Sequence, residues 1–269
     1  ADAGVTGTSN VSDWADISGI SGNASQPTSS RQPSLLANEI NHHPAVDFTS
    51  SNSEFLSIPT GIFKSTTYND VWVYAVTKTD AIQRNTLFFE ELLGTDQSFN
   101  ELHPWDNSNI YFDFGNRWGT ANGRINGLWG GNTNDYFMWT MASSTNTTTP
   151  NGTRKAISKD GLVFLSNDNN GNGTGNNKAF LIGGGYFDGV GTSWNFDGKI
   201  AELIVYTGVP TPLEQEKIYS YLSLKYGFKK QSVDNPATAG QDETNYFSSD
   251  GTVVWDATVN ATYPNNIAG

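Results

Sequence analysis

Hydrophobic positions recur in two rhythms along this chain. Most apolar runs are short and alternate. Val71–Thr77 places Trp72, Tyr74 and Val76 on one face and Val71, Val73 and Ala75 on the other. Both faces are apolar, as in a central strand covered on two sides. Thr86–Glu90, Ile110–Phe114, Tyr136–Met141 and Ala179–Gly185 read as further strands. Arg154–Ser166 reads as a hairpin about Lys159-Asp160-Gly161, because Asp-Gly between apolar runs favours a tight turn. Lys199–Tyr206 is another strand, and directly after it the period changes. Leu213, Ile218, Tyr221, Leu222 and Leu224 return at three- and four-residue spacing, which predicts a helix over 212–226. Thr211-Pro212 supplies its N-cap and first position, Glu214 and Glu216 its acidic first turn, Lys225 its basic last turn and Gly227 its left-handed stop. Residues 229–244 are polar and linker-like, and Tyr246–Asp256 reads as two short strands about Asp250-Gly251. The pattern predicts an all-β antiparallel sandwich over residues 1–230, with the helix closing an edge or end. A β extension over 231–269 is expected to pack back on it or to begin a following module. Packing back is preferred, because Trp255, Val253 and Val254 call for burial.

Composition narrows the partners. The chain has 269 residues, a net charge of −12 and only 16% charged residues. An acidic surface argues against nucleic acid and anionic membrane. The chain lacks cysteine, which excludes disulfides and thiolate zinc sites. No apolar run approaches the ~20 residues of a membrane-spanning helix. We expect a mature or excised piece of a longer protein, monomeric as a single domain.

Candidate chemistry is sparse. His42-His43 is a weak metal pair, since neighbours on an extended strand point oppositely. Glu90 and Glu91 likewise face apart and do not make an acid–base pair. Along Ile110–Phe114, Tyr111 and Asp113 share a face. Asp113 is expected to pair with Arg117 or Arg124, or to meet a ligand on the sheet face. Trp105, Trp118 and Trp129 fall in Gly/Asn-rich stretches, where indoles either stack on sugar rings or plug the end of a sandwich. Asp106 and Asn107 stand beside Trp105, and Trp14 is expected to lie as a lid on the core. Asp168, Asn170, Asn172 and Gly173 match the front half of a D-x-[DN]-x-[DN]-G calcium loop. The back half is missing, so calcium there needs a further carboxylate such as Asp188 or Asp197.

Several of these runs resemble one family. Asp197-Gly198, Ile200-Ala201-Glu202 and Ile204-Val205-Tyr206, followed by Lys217-Ile218, Tyr221-Leu222 and Lys225-Tyr226-Gly227, are similar to the closing strand and helix of laminin-G-like, concanavalin A-type jelly rolls of bacterial surface proteins. Looser matches are Trp14, Asp16, Ser21-Gly22-Asn23 and Gln26-Pro27-Thr28 near the start. His103–Gly115 and the Lys159-Asp160-Gly161 hairpin match in the middle. The resemblance implies a jelly roll exposed on a bacterial cell surface or secreted, and a calcium ion at a loop end. Glucanases of this shape carry E-x-D-x-x-E on one strand, and nothing here matches it. The resulting expectation is a non-catalytic, lectin-like module of an adhesin, binding a glycan or polysaccharide with calcium assistance. Its ligand contacts are expected at Trp105, Asp106, Asn107, Tyr111, Asp113, Trp118 and Trp129. A structural or peptide-binding module is the alternative. A polysaccharide lyase or hydrolase is a third reading, with His103, Tyr111, Asp113 and Arg124 as its only nominees.

Overall fold

The alternating runs pair into two antiparallel sheets stacked face to face. The computed structural model describes residues 4–7, 9–117, 123–149, 151–185, 194–230, 245–260 and 262. In chain order its first strands are β1 (Val5–Thr6), β2 (Asp13–Trp14), β3 (Ala24–Ser25), β4 (Ser34–Ile40), β5 (His43–Phe48), β6 (Leu56–Ile58), β7 (Thr67–Tyr68) and β8 (Asp70–Thr79). Then come β9 (Thr86–Leu92), β10 (Gln97–Leu102), β11 (Asn109–Asn116), β12 (Arg124–Leu128), β13 (Phe137–Ser144), β14 (Lys155–Lys159), β15 (Leu162–Asn167), β16 (Gly173–Ile182) and β17 (Gly198–Thr207). Helix α1 (Pro212–Tyr226) follows, then β18 (Tyr246–Phe247) and β19 (Val253–Trp255). Among the described residues one sheet runs β1-β2-β3-β6-β16-β9-β10-β11-β12, with β7 also on β16, and the other runs β15-β14-β13-β8-β17-β5-β4.

Between the sheets lies the main core. Val71, Val73 and Ala75 of β8, with Trp139, Met141, Ile157 and Ile200, face Phe88, Phe99, Phe112, Phe114 and Phe180 across the gap. Trp14 packs half-buried against this core, as a lid should. The hairpin at Asp160-Gly161 forms between β14 and β15, both turn residues having positive φ. Glu90 is fully buried mid-strand rather than at a strand end, and accepts the main-chain amides of Ile62 (2.8 Å) and Phe63 (3.3 Å). Burial raises its pKa to about 7 against those bonds. His42 stands at a turn with φ 65°, and the His43 ring meets Tyr226 edge-on.

The other face of β8 explains why that strand is apolar on both sides. Trp72, Tyr74 and Val76, with Met138, Ala142 and Ala201, pack under α1 through Tyr219, Leu222 and Tyr226. The helix therefore covers the outer face of the seven-stranded sheet, rather than closing an edge or end. Its caps form as expected: Thr211 and Glu214 make a reciprocal capping box, and Gly227 takes φ 74°. The buried set differs from the predicted one. Leu213 and Tyr221 are exposed, and Tyr219, Leu222 and Tyr226 reach the sheet. Tyr219 and Tyr226 serve as part of the apolar face, and Tyr226, with the exposed Tyr221, turns its hydroxyl to Glu202. Tyr226 Oη donates to Glu202 Oε2 (2.6 Å), Tyr221 Oη to Glu202 Oε1 (2.9 Å) and Lys225 Nζ to Glu202 Oε2 (2.8 Å).

Burial pushes the Glu202 carboxyl up, but bonds from Lys225 and Tyr226 outweigh it and hold the pKa below its usual value. A depressed carboxyl stabilises the fold above its unfolded pKa of 4.5, and that contribution is lost as pH falls through the lower folded value. Glu202→Gln is expected to cost about 1–3 kcal/mol and to flatten the acid side of the stability curve. Urea midpoints measured at pH 7 and in the acid limb check both effects.

The β18–β19 hairpin lies on the other side of α1. Phe247 N donates to Ser220 Oγ (3.0 Å), and Lys230 Nζ reaches Asn245 O (2.5 Å) and the Glu216 carboxylate. The residue that buries this hairpin is Tyr246, whereas Val253 and Val254 are exposed and Trp255 is half-buried. Burial of a valine pair is thus not what holds the tail.

Candidate functional site

Strands β11 and β12 run side by side near one edge of the ten-stranded sheet, with Asp113 opposite Arg124 and Tyr111 opposite Asn126. Period-two alternation puts Phe112 and Phe114 into the core and Tyr111 and Asp113 on the outer face. Asp113 is fully buried there. It accepts both arms of Arg124, Nε at 2.6 Å and Nη2 at 2.7 Å, and Asn100 Nδ2 at 3.0 Å. Asn100 in turn accepts from Ser98 Oγ (2.6 Å). Of the two expected partners, Arg124 is the one that forms the bidentate pair. Burial alone lowers the Arg124 pKa, but the Asp113 carboxylate outweighs it and raises it. As a fully buried residue, Asp113 positions Arg124 and does not itself meet a ligand, which corrects its expected contact role.

The clamped guanidinium sits over the half-buried Tyr111 ring, 4.9 Å from its centroid. Asn107 Nδ2 donates to Tyr111 Oη (2.8 Å). One residue earlier, Asp106 accepts from Arg84 Nε (2.8 Å), and Arg84 lies 5.2 Å from the Trp105 ring. Trp105 is half-buried and meets Trp194 edge-on at 4.8 Å. Asn107 and Tyr111 are thus bonded to each other, and Trp105 and Asp106, the two residues before Asn107, are tied together through Arg84. Arg84, Asn126 and Trp194 join them without having been foreseen. Asn126 was legible: counting by twos along β12, the exposed Asn126 shares the Arg124 side. Arg84 and Trp194 reach the surface through loop geometry that no local pattern encodes.

The same count moves Trp129 elsewhere. It shares parity with Ile125, so it points inward, is 3% exposed and stacks on Trp139. It plugs the core and is not a ligand platform. Trp118 lies outside the described residues.

His103 does not converge with Tyr111, Asp113 and Arg124. Its ring faces the core between Trp129 and Trp139, with Nδ1 2.7 Å from Glu101 Oε1. The four nominees for catalysis thus occupy opposite faces of the sheet.

Residues 168–172 cross from β15 to β16 without a turn. Asp168, Asn170 and Asn172 are exposed, and Asp188 lies outside the described residues. Asn169 Nδ2 donates to Arg124 O (2.8 Å), so this crossing braces β12. Gly171 is required there, because a Cβ would stand 2.0 Å from Phe114 O. Among the described residues no three His, Asp or Glu side chains gather around one point.

Comparison with known proteins bears on the fold. Residues 214–269, covering α1 and the tail, match a family described as "Domain of unknown function (DUF8202)". Among curated proteins there is no match to the chain. Domain 4 of AbnA, a GH43 extracellular arabinanase from Geobacillus stearothermophilus solved in complex with arabinotriose, is similar with a TM-score of 0.53 and 18% identity, over 75% of this chain and 90% of that one. The binding domain of botulinum neurotoxin serotype D gives 0.50 and 14%, over 78% of this chain and 48% of that one. Domains LG4-5 of the mouse laminin alpha1 chain give 0.41 and 13%, over 56% and 38%. The chain is an antiparallel jelly-roll sandwich, the fold it shares with the arabinanase domain. Among the described residues no helix is long and apolar enough to cross a membrane.

Proposed function

We propose that this protein is a non-catalytic carbohydrate-binding module, and that its ligand lies along Trp105, Tyr111 and Asn126 on the outer face of β11–β12. The observation that carries the reading is Tyr111, held on a strand between the Arg124 guanidinium and the Asn107 amide, with Trp105 two residues before Asn107 in the same loop. Aromatic faces accept the apolar side of a sugar ring, and planar amide and guanidinium groups pair with its hydroxyls. A rigid strand holds this geometry with less ordering cost than a loop. The arabinanase domain of the same fold is described in complex with arabinotriose, which supports a sugar as the ligand class. The family resemblance extends the proposal to an extracellular setting on a bacterial surface.

Charge narrows the class. Arg84 pairs with Asp106 and Arg124 with Asp113, so the surface is locally balanced although the chain is acidic. A balanced surface suits neutral sugars better than uronates, and its binding should depend little on salt. Trp105→Ala and Tyr111→Ala are each expected to weaken binding about tenfold or more without unfolding the protein. Affinity electrophoresis on a panel of neutral and acidic polysaccharides, repeated at low and high salt, tests this. Unchanged retention of both variants contradicts the site, and retention confined to acidic polymers contradicts the neutral class.

Calcium belongs to the proposal as a strut. An ion on Asp168, Asn170 and Asn172, completed by Asp188, acts on the sugar surface only through the Asn169–Arg124 brace. With such an ion, a chelator lowers both melting temperature and affinity. If chelation changes neither, the ion is not there.

A further inference from the structure

The inner face of β17 is unfinished at one end. Ile200 is fully buried between the sheets, whereas Leu203 and Val205, paired with Ala75 and Val73 of β8, are only half-buried. A cavity of about 140 Å3 stands against them. Its walls include Ile58, Ile62, Phe180 and Ile182, with Trp14 and Ala24 from the β2–β3 hairpin.

The rim is the loop joining β2 to β3, and Asp16 organises it. Its carboxylate accepts the amides of Ser18 (2.9 Å), Ile20 (3.1 Å) and Ser21 (2.7 Å). Burial raises the Asp16 pKa, but these bonds outweigh it and hold it at about 2. The charge is therefore committed to the loop itself. Ile17 and Ile20 on the same loop are 78% and 76% exposed. The β2, β3, β6 and β16 strands lie across the sheet from β11 and β12, so the cavity is remote from the sugar surface.

An enclosed apolar void of about 150 Å3 takes up benzene; this pocket has a comparable volume over an apolar floor, and opens to solvent past a polar rim of Asp16, Ser18 and Ser21. We propose that the cavity is a second binding site for one neutral apolar group about the size of a benzene ring, such as an aromatic ring or a branched alkyl chain. The group arrives either as a free small molecule or as a substituent on a larger ligand. The site does not depend on the sugar reading.

The test is thermal melting together with tryptophan fluorescence, using toluene, N-acetylphenylalaninamide and myo-inositol as separate probes on wild type and Val205→Phe. The fluorescence readout uses Trp14 in the wall. Toluene is expected to raise the melting temperature of wild type by a few degrees and that of Val205→Phe not at all, because the new ring fills the void. A matching shift with N-acetylphenylalaninamide assigns the site to a substituent, and its absence assigns it to free molecules. Ala24→Leu narrows the opposite wall and serves if Val205→Phe does not fold. The proposal is overturned if toluene has no effect on wild type, if it acts equally on the filled variant, or if myo-inositol acts as strongly as toluene.

Discussion

Asp113→Ala is expected to lower stability by about 3–5 kcal/mol, because it leaves the Arg124 guanidinium without its counter-charge in a desolvated setting. Asp113 is fully buried and receives two bonds from Arg124 and one from Asn100. Removing the carboxylate strands two polar side chains at once. Arg124→Met in the same background is expected to restore much of the loss, since the unpaired charge then disappears. Urea denaturation of the two single variants and the double variant measures the coupling. A cost under about 1 kcal/mol for Asp113→Ala would place this pair with ordinary surface ion pairs and remove the rigid base from the proposed site.

Lys155→Met is expected to act in the opposite direction and to stabilise the protein at neutral pH. Lys155 is fully buried behind β11, its Nζ bonded to Ser143 Oγ (2.7 Å) and 5.2 Å from the Phe112 ring. Burial lowers its pKa from 10.5 to about 7, with the Asp113 charge opposing the shift. A group with a depressed folded pKa gives its full stability above the unfolded value. Wild-type stability should therefore decline as pH falls from 10.5 to about 7 and level off below. A shift of that size corresponds to roughly 3–5 kcal/mol, and the lost Ser143 bond reduces the gain to about 2–4 kcal/mol. Melting curves of wild type and Lys155→Met between pH 7 and 10 should converge on the alkaline side. Parallel curves would mean that the amine is solvated. Glu90 does not confuse the result, because its raised pKa costs stability as pH rises between 4.5 and about 7, a separate window.

The strands that alternate cleanly were legible before the structure. Both faces of β8 were assigned correctly, as were the β14–β15 hairpin and every cap of α1, because each follows from local spacing and turn chemistry. What covers the second face of β8 was not legible. A helix on an outer sheet face and a helix at an edge share one sequence pattern, and Tyr226 looks amphipathic until its hydroxyl finds Glu202. Strands β10 and β12 were missed because they are polar. Ser98 and Asn100 are buried by hydrogen bonding and not by hydrophobicity. That omission hid the parity that sends Trp129 inward. The strand-borne half of the candidate surface, Tyr111 with Arg124, was within reach of period-two counting. The half contributed by Arg84 and Trp194 depends on loops brought together by the fold.

The central claim is that a sugar binds along Trp105, Tyr111 and Asn126. The most direct measurement is a glycan and polysaccharide array probed with wild type and with folded Tyr111→Ala, each in calcium and in chelator. The account predicts neutral-glycan signals for wild type that fall about tenfold or more for Tyr111→Ala. Loss of those signals in chelator would add the calcium strut, and their persistence would leave the rings and amides sufficient. Equal signals from the two proteins, or none from folded wild type, would contradict the account and favour a structural or peptide-binding module on the same sandwich.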